Sequence, residues 1–129
     1  MKRNLLFDTH TFIWWADEPE RLSANALAAL KSDEARLFLS DVSVWEIQIK
    51  AQLGKIGLKL PLRELIASQT GNGVEMLRIA TDHILALESL PFHHKDPFDR
   101  LLIAQSKIED LTVVTIDPEF EKYETDVLW

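Results

Sequence analysis

Short apolar runs alternate with amphipathic stretches along most of the chain. Residues 4–7 form a fully apolar run of the buried-strand type, closed by Asp8. Thr9 or Thr11 then starts a helix through Phe12, Ile13, Trp14 and Trp15, with one tryptophan expected in the core and the other at a contact surface. Ser23 caps a second helix over 24–30. Residues 36–40 read as a second strand, and Ser43 with Glu46 three positions on matches a capping box for a helix that Gly54 ends. After a loop at 55–60, Pro61 opens a helix over 62–69, stopped by Gly71 and Gly73. Residues 74–79 are a third strand, and Thr81 caps a helix that Pro91 terminates.

The central stretch is HHKDPFDRLLI at 93–103. Asp96 followed by Pro97 reads as an N-cap and first helical position, because proline has no N–H to lose there. Asp99 lies in the first turn, and the apolar face continues to about Ile108. Residues 111–116 are the clearest strand, rich in β-branched side chains. Asp117-Pro118 repeats the cap-then-proline device, Phe120 and Tyr123 anchor a short helix, and 127–129 form a last edge strand. Strands alternating with helices over short links predict an α/β fold, an open parallel sheet with helices on both faces. At 129 residues, with no repeat or linker, the expectation is a single domain spanning 1–129.

Acidic residues recur where strands end. Asp8, Asp117, Glu46 and the pair Asp96 and Asp99 all follow or face such junctions, and the carboxyl edge of a parallel sheet is where open α/β folds bind ligands. The plain structural alternative is that these acids cap helices and oppose their dipoles. Carboxylates gathered in one place repel unless a cation sits among them, and such oxygen donors suit Mg²⁺ or Mn²⁺. An ion held that way serves phosphodiester hydrolysis.

Composition narrows the field further. Cysteine is absent, so there is no disulfide framework, thiolate metal site or thiol nucleophile, which fits a reducing cytoplasm. The apolar run of the first residues is interrupted at Asp8, too early for a signal peptide, and no stretch approaches the roughly 18 apolar residues of a membrane span. A cytoplasmic protein without membrane contact is expected. The net charge of −7 argues against broad non-specific binding of nucleic acid. A polyanionic substrate would depend on metal and a local basic fringe, for which His93, His94, Lys95, Arg100, Lys50 and Lys55 are candidates. No Gly-rich phosphate loop, G-x-S-x-G elbow or H-E-x-x-H motif occurs, and His10 stands where a D-x-D phosphatase has its second acid.

The segments LLFDTHTFIWW, S-x-W-E-I at 43–47, HHxDPFDRLLIAQ at 93–105 and VTIDPxFxxY, with VLW at the end, together resemble PIN-domain proteins. More closely, the chain is similar to VapC-type toxin ribonucleases of bacterial toxin–antitoxin pairs, over nearly its whole length. That resemblance implies a PIN-like sheet of four to five strands in the order 3-2-1-4-5 and cleavage of RNA dependent on Mg²⁺ or Mn²⁺. Carried residue by residue, it makes Asp8, Glu46, Asp99 and Asp117 the catalytic, metal-holding acids. It also implies a homodimer, a small cognate antitoxin, and promoter DNA bound only through that antitoxin.

Asp96 gives the central motif a second acid, which we assign to the cap and the surroundings of the metal. Thr9, Ser43 and Thr115 lie beside the acids and are expected to orient them. Arg100, His93, Lys95 and Lys50 are the expected substrate contacts. Competing readings are a PIN-type nuclease acting on DNA or a housekeeping RNA, and a non-catalytic binding module.

Overall fold

The computed structural model describes residues 3–129. Five strands, β1 (Arg3–Phe7), β2 (Ala35–Ser40), β3 (Glu75–Leu77), β4 (Thr112–Val114) and β5 (Val127–Leu128), form one sheet in the order β3-β2-β1-β4-β5. Every pairing is parallel, with Leu5 opposite Leu37 and Thr112, and Leu6 opposite Phe38 and Val113. Parallel neighbours require crossovers, and these are made by the helices α1 (Thr9–Asp17), α2 (Ala24–Lys31), α3 (Asp41–Gln52), α4 (Leu62–Gly71), α5 (Thr81–Leu85) and α6 (Pro97–Glu109).

Alternation along β1 divides the core in two. Leu5 and Phe7 pack with Phe12, Leu39, Ile47 and Val114 on one face, while Leu6 packs with Val42, Leu102, Ile103, Val113 and Phe120 on the other. A central strand covered on both faces has no polar side to show, which is why Leu5, Leu6 and Phe7 are apolar in succession. Each fully buried Leu or Phe contributes roughly 1.5–3 kcal/mol. Helix α6 is the innermost, with every residue from Arg100 to Ser106 buried, and its N-terminus is thereby fixed against the sheet edge. No helix among the described residues is long and apolar enough to cross a membrane.

Several local expectations are corrected. Ser43 does not start α3. Ser40 at the end of β2 is the N-cap, its Oγ accepting from the Val42 N–H at 3.0 Å and donating to Gln105 Oε1 at 2.5 Å. Glu46 therefore lies in the second turn and forms no capping box. Helix α1 does start at Thr9, with Asp8 before it as the N-cap. Thr81 is the first residue of α5, and Ala80 precedes it; the Ala80 N–H is taken by His83 Nδ1 at 2.9 Å. Strands β3 and β4 are each three residues long, shorter than 74–79 and 111–116, because only 75–77 pair with β2 and only 112–114 with β1. Residues 118–123 form a 3-10 helix. Neither Trp14 nor Trp15 is fully buried; Trp15 reaches Gln69, and Trp14 meets Trp129 edge-on.

Asp96 caps α6 as its sequence setting predicts, its Oδ1 accepting from the N–H groups of Phe98 at 2.9 Å and Asp99 at 3.2 Å. Asp96→Ala is expected to lower the stability measured by urea unfolding by about 1 kcal/mol, the usual worth of such a cap. That sign is opposite to the one expected for Asp99 below.

Candidate metal centre

Where β1 and β4 end, the chain turns out of the sheet carrying Asp8 and Thr115, and the first turns of α1, α3 and α6 open on the same edge. A cavity of about 480 Å³ lies there, lined by Asp8, His10, Trp14, Glu46, Lys50, Asp96, Asp99, Ile116, Asp117 and Pro118. Residues separated by more than a hundred positions thus meet, because parallel strands present all their carboxyl ends on one side.

Hydroxyl groups hold the acids in place. Thr115 donates to Asp8 Oδ2 at 2.8 Å and accepts from the Asp117 N–H at 3.0 Å, so one side chain ties two of the acids together. The other oxygen of Asp8 accepts from the Thr9 N–H at 2.6 Å. Thr9 Oγ1 lies 2.7 Å from Glu46 Oε1 and 2.9 Å from Ser43 Oγ. An ionised carboxylate can only accept, so the threonine proton points to Glu46 and Ser43 donates in turn. Glu46 Oε2 is bonded by Lys50 Nζ, one helical turn further along α3. Asp117 Oδ1 accepts from the Glu119 N–H at 2.9 Å.

Asp99 is the most exposed to electrostatic pressure. Loss of solvation lifts its carboxyl from an ordinary 3.8 to about 8, helped by the charges of Asp8, Asp96, Glu46 and Asp117 in falling order. Asp8 is raised as well, chiefly by burial, with the Thr115 hydroxyl and the Thr9 N–H pulling the other way. Lys50 is raised, mainly through its hydrogen bond to Glu46. Repulsion of this kind is what a cation would relieve, and the donors are hard oxygens of the type Mg²⁺ and Mn²⁺ prefer. Among the described residues, however, no three His, Asp or Glu side chains are already drawn together around one point. The donor set fits a divalent ion by chemistry, as a group of hard carboxylate oxygens lining one cavity.

The remaining expected site residues divide. Thr9, Ser43 and Thr115 all lie in the hydrogen-bond network of the acids. Lys50 is at the cavity. His93 and Lys95 are exposed on the loop before α6 and do not line it, His93 packing edge-on against Tyr123 with ring centres 4.8 Å apart. Arg100 is turned away and buried; its guanidinium donates to the carbonyls of Leu90 at 3.1 Å and Pro91 at 2.7 Å, beneath the ring of Phe92. The expectation that Arg100 meets substrate phosphate is corrected accordingly: it ties the 90–96 loop to α6.

The sequence did not disclose the place of His10 and Trp14 at the cavity, nor the contact of His94, named only for the basic fringe, with Asp99. His10 and Trp14 form part of the cavity wall, their rings 6.1 Å apart. Their spacing of four on α1 puts them on one face and was the available signal. His94 lies with Nε2 3.4 Å from Asp99 Oδ2, while its Nδ1 and its N–H both meet the Tyr123 hydroxyl, at 2.8 and 3.0 Å. The same hydroxyl donates to the His94 carbonyl and accepts from Arg100 Nη1, each at 3.4 Å. Nothing local links position 94 to 123.

Comparison with known proteins agrees with this architecture. The model of the PIN domain matches residues 5–125. Ribonuclease VapC22 of Mycobacterium tuberculosis is 30% identical over 115 residues, covering 88% of this chain and 86% of that protein. Among solved structures, VapBC2 from Rickettsia felis bound to a DNA fragment from its promoter aligns with a TM-score of 0.72 at 12% identity, covering 97% of each chain. DNA-bound VapBC from Salmonella typhimurium aligns with a TM-score of 0.66 at 20% identity, covering 99% of this chain and 98% of that one. At such identities these two structures bear on the fold, and their parallel-sheet architecture is the one observed.

Proposed function

The chain belongs to the PIN domain family, and from that premise we propose that it is a metal-dependent endoribonuclease, the toxin of a toxin–antitoxin pair. The observation that carries the reading is the meeting of Asp8, Glu46, Asp99 and Asp117 in one cavity at the carboxyl edge of the sheet. Its similarity to a protein named as a VapC ribonuclease supports RNA as the substrate.

In this reading Asp8, Glu46, Asp99 and Asp117 hold Mg²⁺ or Mn²⁺, with Asp96 just outside. The ion supplies charge stabilisation for the phosphoryl oxygens and activation of water. The protein's own work is orientation. Thr115 and the Thr9 N–H fix both oxygens of Asp8, the Thr9 hydroxyl with Ser43 behind it aims Glu46, and His94 bears on Asp99. Trp14, Ile116 and Pro118 give the cavity an apolar wall that limits bulk water. Among the described residues Lys50 is the one lysine or arginine lining the cavity; it is the first contact for a substrate phosphate, while His93 and Lys95 serve the backbone further along the strand.

Partners follow from the same premise. Structures of similar fold include VapBC2 bound to a DNA fragment from its promoter and a DNA-bound VapBC. We assign this chain a small cognate antitoxin, a homodimeric state, contact with promoter DNA only through the antitoxin, and a cytoplasmic place of action.

The test is side-by-side digestion of RNA, single-stranded DNA and duplex DNA, with Mg²⁺, Mn²⁺ or chelator. RNA is expected to be cut endonucleolytically with either ion and left intact with chelator. Cleavage undiminished by chelator overturns the metal assignment, and equal cutting of DNA overturns the substrate assignment. Co-expression with its genomic neighbour is expected to suppress the activity.

A further inference from the structure

Asp8 and Glu46 both have each carboxylate oxygen engaged in a hydrogen bond, but among the described residues only Glu46 of the cavity acids is bonded by a lysine. Its side chain is 4% exposed, Oε1 takes the Thr9 hydroxyl, and Oε2 takes the ammonium of Lys50. Lys50 itself is 31% exposed and lines the cavity, and it lies in the fields of Asp96 and Asp99 as well as that of Glu46. Its long stem allows the charge to swing while the backbone of α3 stays fixed.

We propose that Lys50 is a tethered cation that competes with the divalent metal for Glu46, and that metal entry transfers its ammonium from Glu46 to the substrate phosphate. The proposal rests on the metal-site reading above and adds what sets the affinity of that site. Three observations support it. Among the described residues no three acidic or histidine side chains stand ready around one point, and Oε2 of Glu46 is taken by Lys50. A monovalent ammonium offsets only part of the charge of five acids, so a divalent ion has a reason to displace it. And an ammonium released from Glu46 remains at the mouth of the cavity, where a chain of net charge −7 has little other means of receiving a phosphate.

Removing the competitor should therefore strengthen metal binding. Calorimetric titration of Mn²⁺ into the wild-type protein, Lys50→Met and Lys50→Arg is the test, with RNA absent. Lys50→Met keeps the aliphatic stem and is expected to bind Mn²⁺ roughly tenfold more tightly, while Lys50→Arg, which restores a cation, returns toward the wild-type value. In parallel, the Lys50 side-chain ammonium resonance, observed by nitrogen-detected NMR, should shift when diamagnetic Mg²⁺ is added, which reads the displacement without any variant. Equal or weaker Mn²⁺ binding by Lys50→Met overturns the competition, for the lysine then supports the metal-loaded site. An unmoved ammonium resonance under saturating Mg²⁺ does the same. If neither protein binds Mn²⁺, what fails is the metal-site reading on which the proposal stands.

Discussion

Asp99→Asn is expected to abolish RNA cleavage while making the metal-free protein more stable. The activity loss should be on the order of 10²–10³-fold, the scale of removing one preorganised electrostatic group from a transition state. The stability gain has a separate origin. Asp99 is partly buried among four other acids, and the amide keeps its shape while removing the charge that loss of solvation and Asp8 oppose most. At pH 8 in chelator the variant should be more stable by about 1–2 kcal/mol. Chemical unfolding and a gel-based cleavage assay on the same preparation check both halves. An ordinary capping residue would behave in the reverse sense, as is expected of Asp96, so the pair of variants separates a strained ligand from a structural acid. Loss of activity with loss of stability would place Asp99 among the structural residues.

The pH dependence of the metal-free protein is the second large effect. Asp99 has a folded value of about 8 against an ordinary 3.8, so between those limits the folded state holds a proton that the unfolded chain has released. Stability must then fall as the pH rises through that window and level off above it. Asp8, raised in the same direction by burial, adds to the slope. In chelator, the melting temperature of the wild type is expected to decline from pH 5 to pH 8 by more than that of Asp99→Asn. Mg²⁺ or Mn²⁺ should cancel the decline, because binding expels the same proton. Metal titrations at pH 7 in buffers of different ionisation enthalpy should accordingly report proton release. A melting temperature that rises with pH in chelator, or metal binding without proton release, contradicts the electrostatic account.

How far the sequence disclosed this site depends on the kind of signal each residue leaves. The alternation of apolar runs with helical stretches disclosed the parallel sheet, and Asp8 and Asp117 were recognisable because each immediately follows such a run. Asp96-Pro97 was legible because its cap involves only its own neighbours. Ser43 was misread for the opposite reason. The S-x-x-E spacing is a local match, but the true start of α3 is set by where β2 stops pairing with β1 and β3, which is a long-range fact. Arg100 misled by adjacency. On a helix the next residue is turned by about 100°, so a group beside Asp99 in sequence faces elsewhere in space. The contacts of Thr115 with Asp8 and of Tyr123 with His94 cross the chain by 107 and 29 positions and leave no periodic trace. The four acids entered the assignment as a set through family resemblance, since spacing alone left Asp96 and Asp99 equal.

The central claim is that these acids exist to hold a divalent ion. Anomalous diffraction from crystals soaked in Mn²⁺ tests it with the least inference between measurement and answer. The expected result is a manganese peak in the cavity, at roughly 2.1–2.3 Å from carboxylate oxygens that include Asp8 and Asp99, with Glu46 turned toward it. A saturated crystal with no anomalous peak among Asp8, Glu46, Asp99 and Asp117, or with its peak on another surface, would contradict the account.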